Sequence, residues 1–491
     1  MLSVLASGAC ASAPLRPQPL GWESVAWRAC PADVPGAERA ECAHVTVPLD
    51  WDEPTGETIT VFARRFLPDG APRGQLWALD GGPGEPGDGL SQGELVDTVL
   101  GAGFELVVPT HRGNAYGTTL QCPGATDEPS CVAALHAQWG AGLRHFEARQ
   151  AARDVAALAT AHRPVAPGTA RIFGGSYGTI WLQRTLQVAP GLFHGAYMDA
   201  VGDLDADFEH IGAWFDAAGR ALLDRCEADD VCAARFPGGV QAAADQVHAD
   251  AVLGVGCAGT LGVGLDELQA LFSRLLQGTR ERALIAPLLH RVQRCSDGDQ
   301  RALRAALASA PPPPPTSPRF NPLLNWTAIY RGLYHVSASP AELEALAAAS
   351  LFDNGAMVVL ARRRAEFPDD FDDRTERGDI DAYTGPVHLV QGALDPLTPE
   401  HLLPAVEARF GSAQVHTLVL PDGGHASPRF TQRADGERCT MRWLGGFLAD
   451  PSDPFDTACL GDVPALDVAA TQPATQDASE AFWGTRDPWD G

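Results

Sequence analysis

A short apolar run, Arg171 to Phe173, ends in Gly174-Gly175-Ser176-Tyr177-Gly178 and leads into a helix-like segment. This strand–turn–helix join constrains the chain more than any other feature. A serine on so sharp a turn must take up a strained backbone conformation, and side chains at positions 174 or 178 would crowd neighbouring backbone. The turn lifts the Ser176 hydroxyl clear of a sheet and presents the next backbone N–H, that of Tyr177, to a developing oxyanion. A glycine-rich turn with an incidental serine would look the same in isolation. The neighbours decide.

Strands and helices alternate around this turn. Residues His44 to Phe66 alternate in the β manner and are broken by Asp52-Glu53-Pro54-Thr55-Gly56, a hairpin signal. Short strands are expected at Gln75 to Leu79, Phe104 to Val108 and Ala196 to Met198, and a helix over Glu147 to Ala161. From about Asp203 to Tyr383 helical segments follow one another without strands, interrupted by the polyproline run Pro311 to Pro315, read as a stiff connector. Strands resume at Pro386 to Gln391 and Val415 to Leu420, and a helix near Arg438 to Leu448 closes the pattern. The tail beyond Cys459 is polar and proline-containing and reads as an extended surface segment. The expected fold class is α/β, a mostly parallel twisted sheet with a helical lid inserted before the last two strands. The expected divisions are an N-terminal segment (1–29), a core in two parts (30–202 and 385–460), a lid (203–384) and a tail (461–491).

Serine alone is a poor nucleophile and needs a base, which needs an orienting acid. Both stand at strand ends. Gly392-Ala393-Leu394-Asp395 places an aspartate after one strand, and Asp422-Gly423-Gly424-His425 places a histidine after the next. Asp422 competes as the acid, but it shares a loop with His425 and is the weaker choice. Asp80-Gly81-Gly82-Pro83-Gly84 follows a strand and can supply a second oxyanion donor.

Composition excludes other chemistries. The net charge of −26 opposes binding to nucleic acid phosphates. The 491 residues contain no lysine, so a Ser–Lys dyad, a pyridoxal Schiff base and a P-loop lysine are all excluded. No cofactor is called for. No metal site is either, since neither C-x-x-C nor H-E-x-x-H spacing is found. Ten of the 11 cysteines fall into neighbouring couples: Cys30/Cys42, Cys122/Cys131, Cys226/Cys232, Cys257/Cys295 and Cys439/Cys459. An even set in an exported chain reads as disulfides, and sequential pairing is the simplest of many connectivities. The eleventh, Cys10, follows Leu5-Ala6-Ser7-Gly8-Ala9 and resembles the lipid acceptor that ends a bacterial lipoprotein signal. Ser7 stands where a larger aliphatic residue is usual, and the h-region is short. The expected location is extracytoplasmic, either secreted or tethered to a membrane through Cys10.

From about Cys42 to Cys459 the chain resembles the proline iminopeptidase and tripeptidyl-aminopeptidase group of serine peptidases, which have the α/β-hydrolase fold. The resemblance rests on Val47-Pro48-Leu49-Asp50-Trp51, Gly81-Gly82-Pro83-Gly84, Gly174-Gly175-Ser176-Tyr177-Gly178, Gly392-Ala393-Leu394-Asp395 and Gly423-Gly424-His425. The segments Cys42 to Asp50 and Cys439 to Cys459 look more like the exported tripeptidyl branch. The resemblance implies Ser176 as nucleophile, His425 as general base and then acid, and Asp395 as orienting acid. Gly82 and Tyr177 are the implied oxyanion donors, with Gly81 close by. It also implies a peptide substrate, cut from its N-terminus.

Two departures stand out. Asp80 precedes Gly-Gly-Pro-Gly where relatives often have His or Asn-Pro, and it is expected to be turned away or neutralised, with Arg112 a candidate. The loop Thr110-His111-Arg112-Gly113-Asn114-Ala115-Tyr116-Gly117 lacks the usual leading Asp. Exopeptidases of this type need a negative anchor for the substrate's ammonium group, for which Asp203, Asp205, Asp207 and Glu209 are candidates; a solvated acidic segment is the alternative. A carboxylesterase or lipase on the same triad, and a non-catalytic envelope binding protein, are the rival readings.

Overall fold

The structure, a computed structural model, describes residues 25–122, 124–125, 128–162, 168–206, 208–308, 319–333, 338–353, 355–364 and 378–490. Asp207, Cys10 and the run Pro311 to Pro315 lie outside the described residues.

Nine strands form one sheet: β1 (Arg28–Ala29), β2 (Ala40–Pro48), β3 (Thr58–Phe66), β4 (Gly74–Leu79), β5 (Phe104–Pro109), β6 (Ala170–Gly175), β7 (Ala196–Asp199), β8 (Val387–Gly392) and β9 (Val415–Leu420). Their order is β1-β2-β3-β5-β4-β6-β7-β8-β9. The hairpin read at His44 to Phe66 is the antiparallel pair β2–β3, with Val47 opposite Ile59. β3 also runs antiparallel to β5, and from β5 to β9 every pairing is parallel. Antiparallel leading strands and a parallel remainder, in this order, make the α/β-hydrolase fold.

Parallel strands are covered on both faces, so they need apolar residues at successive positions. β4 shows this in Leu76-Trp77-Ala78-Leu79, all buried. Leu76 and Ala78 pack with Val99 of helix Glu94–Gly101 and with Trp443 and Phe447 of helix Cys439–Ala449. Trp77 and Leu79 face the other layer, with Val155 of helix Ala148–His162 and Leu182 of helix Tyr177–Val188. Between β7 and β8 the described residues form helices only, from Ile211–Glu227 to Ala356–Arg363, and their apolar faces join the core of that second layer.

Each of the five cysteine couples forms one disulfide: Cys30–Cys42, Cys122–Cys131, Cys226–Cys232, Cys257–Cys295 and Cys439–Cys459. Disulfides persist in oxidising compartments, which suits an extracytoplasmic protein. Among the described residues no helix is long and apolar enough to cross a membrane.

The tail differs from the expected extended surface segment. Residues Pro473–Trp483 are helical, and Phe482, Trp483 and Trp489 are buried. Arg291 of the lid donates to the Pro488 carbonyl at 2.8 Å and lies over the Trp483 ring, and Arg235 lies over Trp489. A polar average conceals three aromatic anchors, and large aromatic area decides packing.

Candidate active site

Ser176 joins β6 to helix Tyr177–Val188 with φ 53° and ψ −126°, a strained conformation for a residue with a side chain. The flanking glycines are required by contact. A Cβ at Gly174 would lie 2.4 Å from the Gly178 carbonyl oxygen, and one at Gly178 only 2.2 Å from that of Leu79.

His425 Nε2 lies 2.9 Å from Ser176 Oγ. Its Nδ1 lies 3.0 and 2.9 Å from the two Asp395 carboxylate oxygens. An ionised carboxylate only accepts, so Nδ1 carries the proton and Nε2 offers its lone pair to the serine hydroxyl. Asp395 is fully buried and further held by the Leu397 N–H at 2.8 Å, the Thr398 N–H at 3.1 Å, the Thr398 hydroxyl at 2.8 Å and Gln391 Nε2 at 3.1 Å. Burial pushes its carboxyl up, but the His425 charge and bond and the backbone N–H groups outweigh this and hold it below the usual carboxylate range. Burial likewise pushes His425 down, and Asp395 more than reverses it, so the imidazole lies above its ordinary 6.5. Asp422, the competing acid, faces elsewhere: its carboxylate takes Arg225 Nε of the lid at 3.3 Å and the Leu466 N–H at 3.4 Å.

The Gly81-Gly82-Pro83-Gly84 loop reaches the same place. A Cβ at Gly81 would stand 3.1 Å from Ser176 Cβ and 3.6 Å from its Oγ. The Gly81 N–H itself donates to Asp80 Oδ1 at 2.8 Å, so Gly81 is not an oxyanion donor in this arrangement. Gly82 has φ 109°, in the region that favours glycine, and Tyr177 opens a helix, where N–H groups lack helical acceptors. Asp80 accepts a second bond from the Gly87 N–H at 3.1 Å. Burial raises its carboxyl, against those two N–H groups and the more distant Arg64. The carboxylate is therefore part of the loop's own scaffold.

Arg112 does not neutralise Asp80. Its guanidinium pairs with Asp154 through Nε at 2.7 Å and a terminal nitrogen at 2.6 Å, and donates to the carbonyls of Leu49, His145 and Pro48. In the same loop His111 donates from Nδ1 to the Arg112 carbonyl, which leaves Nε2 to accept the Tyr177 hydroxyl at 3.3 Å. Burial brings the His111 imidazole down to about 4, so it is neutral.

Two of the expected amine anchors are engaged. Asp203 and Asp205 both pair with Arg409, the first at 2.9 Å, so one guanidinium is shared between the two carboxylates. Glu209 lines a lid cavity of about 230 Å³ together with Asp216 and Asp353, and Asp216 pairs with Arg220.

Sequence reasoning missed the polar stitches. Asn114 Nδ2 donates to the Gly84 and Glu85 carbonyls, and Asn325 Nδ2 to that of Pro83. Asn321 caps helix Pro322–Gly332 and also donates to the Gly113 carbonyl, tying the lid to the loops beside Ser176. The Asn321-Pro322 pair is a helix-start signal that would have placed the cap, though not its second role.

No family model matches the chain, and no curated protein matches it. Among solved structures the chain is similar to proline iminopeptidase from Mycobacterium smegmatis, with 16% identity and a TM-score of 0.36 over 84% of this chain and 99% of that one. It is similar to a thermostable carboxyl esterase from Bacillus coagulans, with 12% identity and a TM-score of 0.36 over 83% and 98% of the two chains. An epoxide hydrolase from Vigna radiata gives 13% identity and a TM-score of 0.35 over 84% and 97%. Likeness at this level carries no argument about activity.

Proposed function

We propose that the protein is an exported serine hydrolase that releases residues or short peptides from a substrate's N-terminus through an acyl-enzyme. The observation that carries the hydrolase reading is the unbroken relay Asp395–His425–Ser176, with bonds of 2.9 to 3.0 Å. His425 takes the serine proton as Oγ attacks the scissile carbonyl, and Asp395 stabilises the imidazolium so formed. The oxyanion sits between the N–H groups of Gly82 and Tyr177. His425 then protonates the leaving amine, and water repeats the sequence to free the acyl group.

The peptidase reading is supported by the motif resemblance, and the exported branch is favoured over the cytosolic one by the segments Cys42 to Asp50 and Cys439 to Cys459. Aminoacyl and tripeptidyl arylamides, assayed beside p-nitrophenyl esters, test it. Turnover of free-amine arylamides is expected, with weaker turnover when the amine is blocked. Turnover of esters alone would replace the peptidase reading with a carboxylesterase on the same triad.

The relay also sets the pH dependence. A base must be neutral to accept a proton, and His425 titrates above 6.5. The value of kcat/KM is therefore expected to fall as pH drops through an inflection higher than that of an unperturbed histidine. A profile flat from about pH 5 to 8 would contradict the assignment of the base.

A further inference from the structure

Asp199 ends β7 and lies between the two turns that carry Ser176 and His425, although Asp395 is the acid bonded to the histidine. Its backbone carbonyl accepts the Ser176 N–H at 2.9 Å. Its carboxylate accepts the Ser427 N–H at 2.9 Å through Oδ1 and the Ser427 hydroxyl through Oδ2. Ser427 is two residues beyond His425, and Asp199 is only 4% exposed. One buried residue thus grips both halves of the relay.

Backbone strain lies along the same line. Among the described residues six that are not glycine have positive φ, and three of them are Ser176 at 53°, Ala200 at 56° and Ala426 at 71°. These are the nucleophile, the residue after Asp199, and the residue between His425 and Ser427. Strained conformations persist only where surrounding bonds over-determine them. Bonds from Asp199 reach Ser176 and Ser427, and the Ala200 N–H is held by the Val390 carbonyl at 3.0 Å.

We propose that Asp199 is a positioning residue that ties the Ser176 turn to the His425 loop and adds a second negative charge beside the histidine. The proposal rests on the triad reading above. The charged groups facing His425 are Asp395 and Asp199, with Arg429 opposing them. Asp199 in turn faces Ser427, His425 and Asp395, and lies near the Tyr197 phenol. Burial pushes its carboxyl up to about 6, against the Ser427 bonds and the His425 charge. It is therefore an anion where His425 works as a base, and its protonation below that value weakens the base further.

The test follows the rate of Ser176 phosphonylation by a fluorophosphonate across pH, which needs no knowledge of the natural substrate. In Asp199→Asn the shape of the clamp is kept and the charge is lost. The acid limb should move to lower pH by up to about one unit, because one anion that favours imidazolium is gone. In Asp199→Ala the clamp is lost, and the plateau rate should fall about 10- to 100-fold, as expected for misplacement of reacting groups. If Asp199→Ala does not fold, Ser427→Ala serves in its place and should also lose rate. An Asp199→Asn limb that coincides with the wild type's, or an alanine variant as fast as the wild type, overturns the proposal and leaves the triad reading standing. A wild-type chain labelled no faster than Ser176→Ala removes the triad reading itself, and the proposal with it.

Discussion

Ser176→Ala is expected to lower kcat by about 10⁶-fold with the fold intact, since the residues of such a relay act as a unit. In the proposed reaction the serine hydroxyl makes the covalent bond, and its 2.9 Å contact with His425 is what would render it nucleophilic. His425→Ala should cost nearly as much, because an unactivated hydroxyl and no hydroxyl are almost equivalent. Asp395→Asn should cost about 10⁴-fold, by stabilising the wrong tautomer of an imidazole left in place. Steady-state turnover of a released arylamine, with the melting transition as a control for folding, measures all three. A Ser176→Ala enzyme retaining a tenth of wild-type activity would place the nucleophile elsewhere.

Arg112→Leu should have the largest effect on stability, a loss of roughly 3–5 kcal/mol, the range found when one partner of a buried ion pair is removed. Arg112 is 1% exposed and Asp154 3%. The substitution would strand the Asp154 carboxylate with Trp51 Nε1 as its remaining bonded partner, and would leave the Pro48, Leu49 and His145 carbonyls without this donor. Arg112→Lys should recover only part of the loss, since an ammonium cannot match a planar fork with five donors. Arg112→Leu combined with Asp154→Leu should recover more, because no charge is then buried alone. Denaturant midpoints of the four chains give the comparison, and an Arg112→Leu midpoint equal to the wild type's would refute the role. Activity per folded molecule should fall as well, because the same loop carries Asn114, whose bonds hold Gly84 and Glu85 at the end of the Gly-Gly-Pro-Gly loop beside Ser176.

Much of this was legible locally. Gly174 and Gly178 announce the turn at Ser176, because only glycine fits where a Cβ would meet a carbonyl oxygen at 2.2 to 2.4 Å. The apolar runs at β4, β5 and β6 announce parallel strands, because burial on both faces leaves no room for alternation. The lid is visible as a long stretch of helical periodicity without strands. The tail's packing is not legible along the chain, because three aromatics among polar residues form no period and what they bury against lies in the lid, roughly two hundred positions away.

Charge pairing was the least legible property of the chain. Asp80 and Arg112 stand in departures from the same motif set, yet Asp80 holds Gly81 and Gly87 while Arg112 holds Asp154. Asp203 and Asp205 sit at the expected lid entrance, and Arg409, more than two hundred residues on, takes both. Spacing along the chain carries no information about such partners, since an ion pair depends on distances of 3 to 4 Å that only folding sets.

The order of serine, aspartate and histidine at strand ends was therefore determined by the sequence alone, because strand, turn and glycine signals act within a few residues. That Asp80 takes the Gly81 N–H, that Arg112 holds Asp154, and that Asp199 grips both turns were decided only by the tertiary structure. Asp199 and Ser427 come together from opposite sides of a long insertion, and the cost of a buried charge is offset only by partners that folding brings within reach.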